Sequence, residues 1–345
     1  MRRAAPRPAR GRGALLRRAA ACIVPAVLAT AARAPLSRAQ SVTPPLPRSA
    51  LAVRDGGAWR EWWSAARAPV RWTAPSAGLA RATRWRAVRP GIDVAELSLH
   101  GSGEAWRLRV ILVRLDPRRH QLALARAVRD AGLLGAWTID SAPPDASLAL
   151  NAGQFDGGTP WGWLVLDGRE VQPPGTGALS MAVVVDTSGA LRLIEAGAIA
   201  GARAAGGIVH AFQSYPALLV GDGEVPRALR GAGRGIDVAH RDSRLAIGTL
   251  RDGRVLVALT RFDALNGALA SLPFGPTVPE MAAVMGGLGC RRAVMLDGGL
   301  SAQLLVRRGD GRASEWSGMR AVPLALVARP LAEISDRRDP RDRRR

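Results

Sequence analysis

The sequence contains no lysine and only two cysteines among its 345 residues. All 49 basic side chains are therefore arginines, set against 28 acidic side chains, for a formal net charge of +21. Arginine is the default cation of this chain, so an arginine at a given position does not by itself indicate a selected guanidinium. Apolar residues make up 48% and charged residues 22%. This balance excludes a disordered or collagen-like protein.

The sequence also lacks an apolar run of about 20 residues, the length that spans a bilayer as a helix. Residues 1–39 carry nine arginines and no acid, and the uncharged run 19–32 has 14 residues. This pattern predicts a signal peptide. Cleavage is expected after Ala39, with the small-x-small segment 32–34 as the second candidate. We therefore expect an exported protein, periplasmic or extracellular, without a stable membrane anchor after cleavage.

Cleavage would remove Cys22 and leave Cys290 as the one remaining thiol. A mature chain with one cysteine has no internal disulfide and no cysteine-based zinc site. Because Cys290 lies between a predicted helix end and a predicted buried strand, we expect it to be a shielded, small apolar residue.

The positive charge does not indicate a nucleic-acid partner, because no helix-turn-helix, zinc finger or aromatic nucleic-acid platform accompanies it. Part of the charge lies at the chain ends: the segment 336–345 holds six arginines and three aspartates. We interpret residues 331–345 as a charged, disordered tail. The oligomeric state is left open.

Residues 40–84 form a Pro-, Ala-, Arg- and Trp-rich extension, for which we expect a short helix near Trp59–Arg67 packed on the main domain. Residues 85–330 read as apolar strands separated by Asp-Gly turns. They contain one clear helix signal, the capping-box spacing of Thr277 and Glu280. The predicted fold is α+β, with a mixed, mostly antiparallel β-sheet core and a few flanking helices in a single large domain.

Three segments place polar residues at the end or start of an apolar strand. These are Asn151–Gly158, Arg244 with the strand it opens, and Asp297-Gly298-Gly299. Asp-Gly occurs seven times in the chain, and most of these pairs are turns. Asp297 differs because a wholly apolar run, 293–296, precedes it. Its carboxylate is therefore predicted to face a cleft.

Four segments in order resemble the phosphodiester glycosidase family: Asn151–Asp156, Pro216–Val220, Arg244–Gly248 and Leu296–Ser301. The similarity extends from about residue 85 to residue 330. The chain departs from the family pattern at Ala152, Gln154, Tyr215 and Leu300. The resemblance implies an exported hydrolase that cleaves sugar-1-phosphodiester linkages in a polysaccharide or glycoconjugate.

Under this hypothesis, Arg244 would hold the phosphate, and Asp297 and Asp156 would form the pair of carboxylates that glycosidases use. These three residues and Asn151 should converge on one cleft. His210 is expected to be a supporting residue rather than a catalytic one. The two aspartates are also candidates for binding a divalent cation, Ca²⁺ or Mg²⁺, since no His- or Cys-rich ligand cluster is present. The residues expected to bind substrate are Asn151, Gln213, Ser214, Gly298, Gly299 and Ser301.

Two other hypotheses remain open at this point. The same fold could serve as a non-catalytic binding protein for phosphorylated or acidic glycans in exopolysaccharide assembly, which the loss of the last motif's third glycine to Leu300 favours. A basic structural domain without a ligand is the third reading. Release of sugar from sugar-1-phosphodiesters distinguishes the first hypothesis from the other two.

Overall fold

The computed structural model describes residues 49–101, 107–126, 136–156, 158–231, 233–263 and 269–331. The predicted signal peptide lies outside these residues, as does the predicted tail beyond Leu331. None of the described helices is both long and apolar enough to span a membrane.

The largest sheet has nine antiparallel strands. They run in the spatial order β15-β18-β16-β17-β5-β4-β1-β2, with β3 pairing with β4. Their bounds are β1 Ala50–Asp55, β2 Ala58–Ser64, β3 Arg86–Arg89, β4 Ile92–Gly101, β5 Arg107–Leu115, β15 Ala217–Leu219, β16 Leu245–Leu250, β17 Val255–Phe262 and β18 Cys290–Met295.

Two five-stranded sheets and one short ladder complete the fold. One sheet has the order β11-β10-β14-β12-β13, from β10 Leu164–Leu166, β11 Arg169–Gln172, β12 Met181–Asp186, β13 Leu191–Glu195 and β14 Ile208–Ser214. The other has the order β20-β19-β7-β21-β6, from β6 His120–Arg126, β7 Leu148–Asn151, β19 Leu304–Arg307, β20 Ala313–Trp316 and β21 Leu324–Pro330. The ladder joins β8 Phe155–Asp156 and β9 Thr159–Pro160.

The central strands are apolar on both faces because each face meets a different layer. Along β16, Leu245 and Ile247 belong to the cluster that packs against the two five-stranded sheets. Ala246, between them, belongs to the cluster on the opposite face, which the helix Val278–Gly287 covers. This period of two is the reason that β16 and β17 read as strongly apolar strands in the sequence.

Three α-helices lie in the described residues: α1 Ala77–Ala82, α2 Ile199–Ala205 and α3 Val278–Gly287. The predicted capping box of α3 is present. The Glu280 N–H donates to the Thr277 hydroxyl, and the Glu280 carboxylate accepts from the Thr277 N–H at 2.8 Å. Glu280 is completely buried and is paired with Arg241 at 2.8 Å.

The prediction of a short helix near Trp59–Arg67 is wrong. Residues 58–64 are strand β2, and only 65–67 form a single 3-10 turn. The turn Asp55-Gly56-Gly57 pairs β2 with β1, and β1 in turn pairs with β4 of the main sheet. The pairing of β1 with β4 is non-local, so the local Ala- and Trp-rich composition did not indicate it.

The α+β, mainly antiparallel architecture is confirmed, with many more residues in strands than in helices. The mixed sheet is not found: every strand ladder among the described residues is antiparallel. The single-domain organisation stays a prediction.

Candidate active site

The end of β18 and the start of β16 lie side by side because the two strands are antiparallel. The Leu296 N–H donates to the Leu245 carbonyl at 2.8 Å, and the Gly299 N–H donates to the Ser243 carbonyl at 2.8 Å. The segment that contains Asp297 therefore runs directly along the segment that contains Arg244.

Asn151 attaches a third segment to the same place. Its Nδ2 donates to the Asp297 carbonyl at 2.8 Å, and its Oδ1 accepts from the Gln303 N–H at 3.0 Å. The Asp297 N–H donates to the Gly153 carbonyl at 3.0 Å. Asn151 is completely buried. Its amide therefore positions the backbone of Asp297, and substrate binding by Asn151 stays a prediction.

Gly298 and Gly299 allow this close approach. A Cβ on Gly298 would lie 2.5 Å from the Ser243 carbonyl oxygen. Gly299 has a φ of +55°, and its Cβ would lie 2.9 Å from Oδ2 of Asp242. Both glycines thus make room for the neighbouring protein chain, and Gly299 faces a carboxylate.

Asp242 and Asp297 form a carboxylate pair with perturbed protonation. Burial raises the pKa of Asp297, and the negative charge of Asp242 raises it further. The Ser301 hydroxyl, which donates to Asp297, and the charge of Arg320 oppose that rise. Burial also raises the pKa of Asp242, against the charge of Arg244 and a 2.8 Å hydrogen bond from the Ser243 N–H. Such groups hold a proton at a higher pH than ordinary aspartates do.

The two arginines near this pair have different environments. Arg244 is 8% exposed, and its guanidinium donates to the carbonyls of Pro276 at 2.9 Å and His240 at 2.6 Å. Burial lowers the pKa of Arg244. Arg320 is exposed, lies 4.9 Å over the ring of Phe155, and acts electrostatically on Asp297. Arg320 is therefore the better placed of the two to meet an anionic ligand.

Arg261 lies beneath the site and ties its loops together. Its guanidinium donates to Ser243 Oγ at 3.3 Å and to the carbonyls of Ala302 at 2.8 Å, Trp316 at 3.1 Å and Ser317 at 3.0 Å. Burial lowers the pKa of Arg261 to about 10, so it stays charged at neutral pH. It fixes the positions of the loops that carry Asp242, Ser301 and Arg320.

Three residues predicted from the sequence have no hydrogen bond or ion pair with this pair among the described residues. Asp156 is exposed on the β8–β9 ladder, and its side chain makes no hydrogen bond or ion pair with the described residues. Gln213 is buried, and its Oε1 accepts from the N–H groups of Trp163 and Gly175, each at 2.7 Å. Ser214 is buried and donates to the Met295 carbonyl. Gln213 and Ser214 therefore make structural hydrogen bonds, and their contact with substrate stays a prediction.

His210 is buried at the β10–β11 hairpin, where its Nδ1 accepts from the Asp167 N–H at 3.4 Å. Burial lowers its pKa. This position agrees with the supporting role expected for it. Across the described ranges, no three His, Cys, Asp or Glu side chains are grouped as a metal site would need. Asp242, Asp297 and the Ser301 hydroxyl would give a divalent cation only part of its usual set of six or more oxygens.

Sequence reasoning missed Asp242 and Arg320. Asp242 carries the signal that singled out Arg244, a charged residue just ahead of an apolar strand, and lies two positions earlier. Arg320 has no such signal, because it follows an irregular segment in a chain where arginine is everywhere.

The fold and site define an α+β protein of antiparallel sheets, with two protonation-shifted carboxylates and an exposed arginine at the strand ends. A family model described as phosphodiester glycosidase matches residues 144–329. The chain belongs to this family, which confirms the resemblance inferred from its motifs. No curated protein sequence matches the chain.

Solved structures align with this chain. The catalytic domain of zebrafish N-acetylglucosamine-1-phosphodiester alpha-N-acetylglucosaminidase, auto-inhibited by its pro-peptide, aligns with a TM-score of 0.53 at 15% identity, covering 82% of this chain and 89% of that one. A hypothetical protein from Synechocystis aligns with a TM-score of 0.48 at 16% identity, covering 75% and 64%. A putative exported protein from Burkholderia pseudomallei aligns at 0.45 and 16%, covering 68% and 77%.

Proposed function

We propose that the protein is a hydrolase that cleaves sugar-1-phosphodiester bonds in a polysaccharide or glycoconjugate. Membership of the phosphodiester glycosidase family supports the reaction class. The observation that carries the proposal is the pair Asp242 and Asp297, whose pKa values are both raised, beside the exposed Arg320. The zebrafish relative's name suggests N-acetylglucosamine-1-phosphodiesters as the first substrates to try.

The pair suits acid–base catalysis because two neighbouring carboxylates do not lose both protons easily. When the pair holds one proton, its ionised member acts as the general base. Water attacks the sugar C1, its proton passes to the ionised carboxylate, and the C1–O bond breaks. The electron pair of that bond stays on the leaving phosphate, whose charge Arg320 stabilises. The other carboxyl proton is available to the leaving oxygen.

The test is release of free sugar from a panel of sugar-1-phosphodiesters. Asp297→Asn should lower kcat by roughly 10²–10⁴-fold, the usual contribution of a general acid or base. Asp310→Asn, in an exposed Asp-Gly turn, is the matched control and should behave like the wild type. Comparing Asp242→Asn with Asp156→Asn decides which carboxylate partners Asp297. The geometry favours Asp242.

The same assay tests the binding-protein hypothesis and the metal. Equal, negligible release by wild type and Asp297→Asn, with sugar phosphates still bound, would establish a non-catalytic glycan-binding protein. Loss of activity on treatment with a chelator, restored by Ca²⁺ or Mg²⁺, would assign the carboxylates to a cation. Activity that a chelator leaves unchanged would exclude that role.

We also propose that the protein works outside the cytoplasm, on the basis of the arginine-rich start and the uncharged run that follows it. N-terminal sequencing of the protein from the periplasm or medium should begin near Gln40. A soluble cytoplasmic protein that retains Met1 would contradict export.

A further inference from the structure

An exposed tryptophan and a half-buried tyrosine lie on segments beside the carboxylate pair. Trp161 is 39% exposed, and its ring packs edge-to-face against Tyr215, the one tyrosine of the sequence, with centroids 5.3 Å apart at 83°. The mechanism proposed above uses neither of them. A large exposed aromatic surface is costly in water and often marks a binding site.

Hydrogen bonds connect the segments that carry both rings to the strand end that carries Asp297. The Trp161 N–H donates to the Gln154 carbonyl at 2.8 Å, and Gln154 Nε2 donates to the Tyr215 carbonyl at 3.2 Å. The residue before Gln154 accepts the hydrogen bond of the Asp297 N–H. The residue after Tyr215 accepts that of the Met295 N–H at 3.0 Å. The two rings therefore sit on the segments that flank the catalytic carboxylate.

The backbone next to Trp161 is closely packed. Gly162, next to Trp161, has a φ of +87°, and a Cβ there would lie 2.5 Å from Leu179 Cδ1 and 2.7 Å from Gln213 Oε1. Gln213 Oε1 also accepts from the Trp163 N–H. This preorganisation lowers the entropy lost when a ligand binds, which a flexible loop would not do.

Two further exposed apolar side chains lie near the same site. Leu300 is 43% exposed and Met319 is 64% exposed, and the Met319 N–H donates to the Leu300 carbonyl at 2.7 Å. Leu300 lies three residues after Asp297, and Met319 directly precedes Arg320. The charged centre is thus bordered by apolar surface, a combination that suits a ligand with both an apolar face and polar groups.

We propose that Trp161 and Tyr215 form a sugar-binding subsite, where the C–H face of a pyranose ring packs on the indole next to Asp297. A sugar fits better than a hydrocarbon chain because its hydroxyls can meet the nearby charged groups, whereas a hydrocarbon would leave them desolvated without partners. The proposed subsite depends on the proposed function in one respect, that the ligand is a sugar phosphate. Binding of that ligand does not require hydrolysis.

The test is a saturation-transfer NMR titration of the full protein with glucose 1-phosphate, butyl phosphate and inorganic phosphate. Wild type should bind glucose 1-phosphate most tightly. Trp161→Ala should lower the affinity for glucose 1-phosphate about tenfold, the order expected for loss of an anchoring tryptophan, and leave the affinity for inorganic phosphate unchanged. Trp161→Phe should restore most of the affinity, which a merely misfolded loop would not allow.

Trp59→Ala is the matched control, because Trp59 is 37% exposed and also packs against an aromatic ring, His100, at 5.5 Å. It lies on β2, at the opposite edge of the main sheet from β15, and should not change the affinity. The proposal is overturned if glucose 1-phosphate binds no better than the other two ligands, or if Trp59→Ala and Trp161→Ala act alike. The titration measures binding and not hydrolysis. A protein that binds as predicted but releases no sugar would therefore support the subsite and contradict the proposed reaction.

Discussion

Replacing Gly299 with alanine tests whether the position of Asp242 matters for the reaction. Two effects act at this residue. Its φ of +55° is unfavourable for any residue with a Cβ, and the new methyl group would lie 2.9 Å from Oδ2 and 3.2 Å from Oδ1 of Asp242. Gly221 separates the two effects, because its φ is +54° and nothing lies within 4 Å of a Cβ built there.

The magnitudes follow from these distances. The left-handed backbone should cost each alanine variant about 1–2 kcal/mol of unfolding free energy. In Gly299→Ala alone, the Asp242 carboxylate must also move by about half an ångström to reach ordinary contact distance. Since a 1 Å misplacement costs roughly 10²-fold in rate, we expect kcat to fall about tenfold.

Urea unfolding measures the first effect, and sugar release at saturating substrate measures the second. Both variants should lose similar stability, and only Gly299→Ala should lose turnover. Equal kcat values for Gly221→Ala and Gly299→Ala, with both folded, would refute the reasoning that Asp242 takes part in the reaction through its place beside Asp297.

Three further predictions concern Asp297, Cys290 and Arg244. Folding raises the pKa of Asp297, so the stability that its protonated form contributes is present below the unfolded pKa of 3.8 and is lost as the pH rises through the folded pKa. Urea unfolding should therefore find Asp297→Asn more stable than wild type at pH 7, and the difference in unfolding free energy should close near pH 3. Cys290 is buried in the apolar layer beneath α3, so Cys290→Ala should keep kcat and cost about 1 kcal/mol, and the native thiol should resist a thiol reagent. Arg244→Lys cannot keep both carbonyl hydrogen bonds and should lose about 1–3 kcal/mol of stability; a higher KM at unchanged stability would instead favour the predicted phosphate contact.

The sequence predicted the elements whose signals are local. The capping box at Thr277 and the Asp-Gly turn between β16 and β17 depend on neighbouring residues, and both occur as expected. The β1–β2 hairpin depends on pairing with β4, 46 to 50 residues away, and local composition pointed to a helix instead. Non-local pairing overrides local preference where a strand can complete a sheet.

The same distinction between local and non-local signals applies to the residues of the site. Asp297 was identifiable because a wholly apolar strand ends at it, and Asn151 because another does. The roles of these two residues could not be identified, because a side chain's partner depends on the register between strands distant in sequence. Asn151 is used by the Asp297 backbone, 146 positions away, and Arg244 by the carbonyls of His240 and Pro276.

These assignments have a common physical basis in the burial of polar groups. A buried amide or guanidinium must satisfy its hydrogen-bonding groups inside the protein, so such a residue tends to serve the structure even when it lies in a catalytic motif. Asn151 and Arg244 are 0% and 8% exposed, whereas Arg320 and Trp161 lie at the surface. The motif residues thus form the rigid edge on which Asp297 and Asp242 are held. Arg320 and Trp161, the surface groups proposed to meet the ligand, lie outside those motifs, which explains why the family can be recognised from the motifs while the sugar cannot.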